Sequence, residues 1–288
     1  MQEMSPTLTA YQKKKFRQKM RRWIKLALGG GLILLGLVTA VAFLSHWEGL
    51  AVQSIDIKGL EEISEEKVRQ LVEDKSDDRL LGVFSRQSIF FFPRQNIVES
   101  LVQEYPRISS AVISPRSFSE FREFELQISE REAHVLWCLE DDKDPQSSPV
   151  GSFSGSCYFA DESGYLFAPA PVLPRSAIFH YYDGGKGVNS RYPLPEESFE
   201  QVEKFRLAIE EQGLTPIAVQ QVAQYSEFRL FLKGGGYLYF SVYEGWDLSA
   251  ERLLRLLRKK RDELLSDQNE LKVEYIDLRY GNRIYFLP

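Results

Sequence analysis

Residues 26–44 carry no charge, and Leu, Ile, Val, Ala and Gly dominate them. At ~1.5 Å rise per residue this run makes a helix of roughly 28 Å, close to the ~30 Å hydrocarbon thickness of a bilayer. Trp23 and Trp47 flank it, where amphipathic rings settle in the headgroup zone. Beyond the run the pattern changes to short alternating and helical stretches. Residues 52–57 alternate apolar and polar and end at Gly59. Val68, Leu71 and Val72 share one face of a predicted helix over 64–74, with Glu65 and Glu66 suited to its N-terminus. After the run Phe90-Phe91-Phe92, Pro93 opens a helix in which Ile97, Leu101 and Val102 lie on one side, and Tyr105-Pro106 stops it. Strands are predicted over 108–114 and 121–128, the second alternating at Phe124, Leu126 and Ile128. Residues 52–130 thus read as strand, helix, helix, strand, strand.

The second half is richer in strands. A strand over 132–138 precedes an acidic, Ser-rich loop. Residues 157–160, the turn Asp161-Glu162-Ser163-Gly164 and residues 165–167 predict a hairpin. Pro169, Pro171 and Pro174 predict an extended crossing, followed by a strand over 177–182. Pro195 and Glu196 begin a helix whose Phe199, Val202, Phe205 and Ile209 share a face, ended by Gly213. A meander over 217–222, 227–232 and 237–243 turns at Gly234-Gly235-Gly236. Asp247 or Ser249 is expected to cap a helix reaching residue 265, with Leu253, Leu257 and Leu264 inward and Arg252, Arg255, Lys259 and Arg261 toward water. Strands over 272–279 and 283–287 follow, joined at Tyr280-Gly281-Asn282. The fold class is α+β. Its expected parts are a basic tail (1–23), an apolar helix (24–46), a domain over 50–130 and a mainly antiparallel β domain with two flanking helices over 131–288.

Charge sharpens this division. Residues 1–25 hold eight basic residues and one acid, leaving 28 of the chain's 36 basic and 40 of its 41 acidic residues for the remainder. The positive-inside rule then keeps the N-terminus in the cytoplasm and sends the acidic body across the membrane. Residues 1–22 lack an apolar period and are expected to be disordered or loosely attached to the bilayer surface. Ala40-Val41-Ala42 leaves open a cleaved signal peptide, although the apolar run continues past it through Phe43 and Leu44. The pairs Ala27/Gly31 and Gly36/Ala40 have the spacing of close helix contacts, a weak signal in a membrane helix. An acidic exterior body is the wrong partner for nucleic-acid phosphates.

The two cysteines, Cys138 and Cys157, sit at the ends of two strand-like runs and form a candidate disulfide in an oxidising compartment, or else two separate buried thiols. Catalytic and ligand-binding patterns are missing by inspection. Residues 151–155 put Phe153 where a nucleophile elbow needs Ser, and 184–187 lack the frame of a phosphate loop. The acidic run 140–144 is interrupted by Pro145 and lacks a calcium hand's Gly and terminal Glu. His46, His134 and His180 stand far apart. The expectation is no enzyme, cofactor, metal or small-molecule substrate.

Several segments resemble the FtsQ/DivIB family of bacterial cell-division proteins. Residues 55–59 (Ile-Asp-Ile-Lys-Gly) resemble its opening POTRA strand, and Tyr105-Pro106-Arg107-Ile108 with Ala111-Val112 its turn out of the second helix. Residues 126–133 with Trp137 resemble the join between its domains, Asp161 to Gly164 its Asp-x-x-Gly turn, and residues 275–280 its C-terminal signature. Pro115-Arg116-Ser117-Phe118 departs from its pattern after the second POTRA strand, the 139–156 loop is longer than usual, and the long C-terminal tail of some members is absent. The resemblance implies a POTRA domain followed by a β domain in a bitopic, non-catalytic scaffold at the division septum. It implies FtsB/FtsL-type partners on the non-cytoplasmic side and other divisome proteins through the POTRA domain. A POTRA-bearing export or outer-membrane assembly component and a membrane-anchored hydrolase are the alternatives. The last strand is expected to form an open edge, with Tyr280, Arg283, Ile284, Tyr285, Phe286 and Leu287 receiving a strand of the partner.

Overall fold

The computed structural model describes residues 10–77, 79–80, 82–117, 121–139, 156–171, 173–183, 190–223, 226–281 and 283–287. A long helix, α1 (Ala10–Ser45), contains a stretch, Lys19–Ser45, long and apolar enough to cross a membrane. It is the one such helix among the described residues, and no part of that stretch's most apolar window is buried by the rest of the protein. Such a stretch is consistent with membrane anchoring. Of residues 1–22, 1–9 lie outside the described residues, and 10–22 are helical where disorder was one expectation. Ala, Lys, Gln, Arg and Met are strong helix formers, and the apolar helix next to them removes the cost of nucleation.

The chain divides into two compact units, Met1–Ser129 and Glu130–Pro288. In the first, a 3-10 turn (Glu48–Leu50) leads to β1 (Ser54–Lys58), α2 (Glu65–Asp77), β2 (Arg79–Leu80), β3 (Phe84–Ser85), α3 (Arg94–Glu104), β4 (Ile108–Pro115) and β5 (Glu123–Glu130). The sheet order is β1-β5-β4, with β1 parallel to β5. Phe124, Leu126 and Ile128 of β5 pack with Val68, Leu71 and Val72 of α2 and Ile97 and Leu101 of α3. Gly59 closes β1 at φ +81°, where an added Cβ would meet the Ile128 carbonyl oxygen at 2.0 Å. The small β2–β3 hairpin was not foreseen, because two-residue strands show no period.

The second unit holds β6 (Val135–Cys138), β7 (Cys157–Ala160), β8 (Leu166–Ala170), β9 (Phe179–Tyr182), α4 (Glu196–Glu210), β10 (Pro216–Ala223), β11 (Glu227–Leu232), β12 (Tyr237–Ser241), α5 (Trp246–Leu264), β13 (Tyr275–Asp277) and β14 (Tyr285–Leu287). Its described strands form one nine-stranded sheet in the order β14-β13-β12-β11-β10-β9-β6-β7-β8. Three pairs are parallel: β6 with β9, β9 with β10, and β12 with β13. Phe199, Val202, Phe205 and Ile209 of α4 and Leu253, Leu257 and Leu264 of α5 pack with Phe228, Leu230, Leu238, Phe240 and Ile276 into one core. A smaller cluster, with Leu136, Tyr182 and Ala218, packs against Leu173 and Ile178.

Several boundaries differ from expectation. The strand over 132–138 begins only at Val135. Pro169 lies inside β8, which is tolerated because β8 is an outer strand and Pro needs no donor there. Helix α5 starts at Trp246 after Gly245, with no side-chain cap, and the Ser249 hydroxyl donates to the Ser241 carbonyl (3.1 Å) instead. Arg252 is not turned to water: its side chain is mostly covered and donates to the Leu278 carbonyl (2.9 Å) and to Glu244 (2.9 Å). The final strands shorten to Tyr275–Asp277 and Tyr285–Leu287. The acidic run 140–144, the segments 151–155 and 184–187, Asn282 and Pro288 lie outside the described residues.

Candidate protein-binding edge

Strand β13 runs parallel to β12, pairing Tyr237 with Tyr275 and Tyr239 with Asp277. The chain then turns back, with the Arg283 N–H donating to the Tyr280 carbonyl at 2.8 Å. Strand β14 returns antiparallel, setting Leu287 opposite Tyr275, Phe286 opposite Ile276 and Tyr285 opposite Asp277. Ile276 is fully buried in the core with the helices. Phe286 therefore shares the helix side, where the Lys260 ammonium of α5 sits 5.6 Å from its ring centroid. Tyr285 and Leu287 fall on the opposite side with Asp277 and Tyr275.

Only one flank of β14 has a partner strand among the described residues. Its three side chains stay exposed: Tyr285 by 49 %, Phe286 by 37 % and Leu287 by 45 %, with Tyr280 at 55 %. Ile284 packs against the core, and Arg283 is exposed. The structure thus brings Tyr280 and Arg283 to Leu287 into one continuous segment, with the Tyr280 and Tyr285 rings edge to face at 5.7 Å.

The base of this segment is held by a charged clamp. Arg279 donates Nε and Nη2 to the two oxygens of the buried Asp277 (2.9 and 2.7 Å) and Nη1 to Glu227 (2.6 Å). The Asp277 hydrogen bond, ahead of burial acting the other way, raises the guanidinium pKa, so the clamp remains charged. The same guanidinium lies 4.5 Å from the Tyr239 ring and 5.4 Å from Tyr280. Tyr237, Tyr239 and Tyr275 continue the aromatic array, with centroids 5.1 to 5.7 Å apart. Burial, then Tyr239, push the Tyr237 hydroxyl up to about 12, so it stays protonated. Such a surface binds through ring faces, cations and backbone donors. The clamp and the tyrosine array were not anticipated. The alternation Tyr237, Tyr239 in one strand was their visible trace.

The candidate disulfide residues are joined: Cys138 and Cys157 face one another across β6 and β7 and form a disulfide, with Cα atoms 4.1 Å apart. The histidines do not converge. His46 Nδ1 lies 2.8 Å from the Ala42 carbonyl, His180 Nδ1 is 3.0 Å from the Tyr182 hydroxyl, and His134 Nε2 is 2.9 Å from Glu203. Glu203 anchors a buried network that also receives Tyr181 (2.7 Å) and Arg206 (2.8 Å). Burial pushes its carboxyl up, but the hydrogen bonds from His134, Arg206 and Tyr181 prevail and hold it at about 2. Among the described residues no group of three or more His, Cys, Asp or Glu is placed to hold a metal. Comparison with known proteins gives no match to any family model or curated protein.

Proposed function

We propose that the chain is a bitopic cell-division scaffold of the FtsQ/DivIB kind. Its β14 edge receives a short strand from an FtsB/FtsL-type partner. The first unit acts as a POTRA domain toward other divisome proteins, and α1 crosses the bacterial inner membrane once with its basic end in the cytoplasm. The observation that carries this reading is β14 itself, an outer strand among the described residues with three exposed apolar or aromatic side chains beside the Arg279–Asp277 ion pair. Added strands gain registry from backbone hydrogen bonds and specificity from alternate side chains. Lys260, Arg279 and the tyrosines offer cationic and aromatic contacts to those side chains. The element order strand-helix-helix-strand-strand in the first unit, apart from its β2–β3 hairpin, supports the POTRA reading. The disulfide supports an oxidising compartment for the body.

Two measurements test it. A fluorescent fusion should gather in a mid-cell ring, and a uniform envelope signal would count against the division role. Titration of the purified full chain with the soluble part of the FtsB-type protein from the same cell should slow amide exchange across residues 283–287. Binding that leaves those amides unchanged would remove the edge from the proposal.

A further inference from the structure

The end of α1 is tied into the first unit. The Ser85 N–H of β3 donates to the Ser45 hydroxyl at 3.2 Å. Ile89 N–H donates to the Leu50 carbonyl at 3.0 Å, Val52 N–H to the Gln87 carbonyl at 2.8 Å, and Ala51 bridges to Ser88. Arg122 reinforces the junction through the carbonyls of Ala51 (3.0 Å) and Glu48 (2.9 Å). The segment 83–90 is therefore held at the last turn of the apolar helix, where a bilayer around α1 would have its surface.

That segment exposes what a water-facing hairpin avoids. Phe90 is 71 % exposed, Val83 49 %, and Trp47, on the chain between them and α1, 60 %. Their neighbours are not short of cover, since Phe92 and Ser88 are buried and Phe84 packs on Phe91 at 5.1 Å. Trp and Phe favour the headgroup boundary, and apolar side chains held beside a spanning helix need no further association entropy to reach it.

We infer that Trp47, Val83 and Phe90 dip into the bilayer surface around α1, so that the first unit rests on the membrane on a second foothold. This rests on the reading of α1 as a membrane span. The three exposed side chains lie on segments tied to the end of an apolar helix, and lipid is the surface a spanning helix meets there.

The test uses the full chain in phosphatidylcholine nanodiscs, with and without phosphatidylglycerol. Both native cysteines are bonded to one another, so a single added thiol can carry an environment-sensitive fluorophore. Val83→Cys and Phe90→Cys are the test sites, Val112→Cys (60 % exposed on β4) the water control and Val38→Cys in α1 the lipid control. Labels at 83 and 90 should shift to the blue and be quenched by iodide about threefold less than the label at 112, as for side chains at the headgroup boundary. If position 38 reports lipid while 83 and 90 match 112, the foothold is wrong and the span stands. If position 38 also reports water, the span fails and takes the inference with it. Shielding of 83 and 90 only after a partner protein is added would overturn the lipid assignment.

Discussion

The two edges of the nine-stranded sheet are treated in opposite ways. At one, β8 buries Leu166 and Phe167, carries Pro169 within the strand and is followed by Pro171. Its outer side is further closed by Arg191, whose carbonyl accepts the Leu166 N–H (2.8 Å) and whose guanidinium donates to the Leu166 carbonyl (3.1 Å). A register irregularity at Phe159/Ala160 adds a local break beside it. Proline, irregularity and a covering residue are the usual defences of a free edge. At the other edge β14 has none of these among the described residues and exposes all three side chains. One sheet under one solvent shows that the open edge is a choice of residues and not a limitation of the fold.

The largest expected effect comes from cutting the defended side loose. Replacing both Cys138 and Cys157 by Ser should lower stability by about 3 kcal/mol, the usual size for a loop of this length. Denaturant melts of the full chain in detergent measure the loss. Amide exchange should quicken in β7 and β8 and stay unchanged in β13 and β14. Equal quickening at both ends would mean that the edges melt as one unit.

Next, proline attacks the open edge. Successive N–H groups of a strand point to alternate sides, so either Tyr285→Pro or Phe286→Pro removes the outward donor. That variant should weaken the partner segment about 30-fold, or ~2 kcal/mol, without shifting the melting temperature. Unchanged affinity in both folded variants would end the strand-addition reading.

The converse exchange should be smaller. Pro169→Thr with Arg191→Ala restores an outward donor on β8 and frees the Leu166 carbonyl, giving weak self-association worth about 1 kcal/mol over the parent. Sedimentation across a concentration series would show it. A strictly monomeric double variant would mean that further devices close that edge.

Smallest is a pH effect confined to the start of β6. The Glu203 hydrogen bond raises the pKa of His134 above its ordinary 6.5, so its contribution is complete below that value and vanishes as pH climbs through the folded pKa. Glu203, lowered to about 2, contributes above its ordinary 4.5 and loses that as pH falls toward 2. His134→Ala should therefore cost most between pH 4.5 and 6.5 and nearly nothing in alkali. The imidazole is 40 % exposed, which limits the cost to about 0.5 kcal/mol after screening. Partner affinity at β14 should be the same in parent and variant throughout.

Side-chain periodicity made the helices α2 to α5 legible, because each keeps a stripe that the core reads directly: Phe199, Val202, Phe205 and Ile209 were all placed correctly inside. The alternation in β5 was equally plain, and so was the position of β14 at an edge. What escaped depends on partners distant in sequence. The parallel pairing of β6 with β9 leaves no local period, and the Arg279 clamp joins residues 52 positions apart through Glu227. Arg252 looked solvent-bound because charge suggests water, yet the Leu278 carbonyl at the end of β13 needed a donor.

From β9 to β14, neighbours in space follow the order of synthesis. The sheet can therefore lengthen one strand at a time as the chain emerges, and the strand proposed to hold the partner is added after the other described strands of this run. A chain interrupted upstream of Tyr285 would end with β13 as its rim and lack the strand proposed to hold the partner.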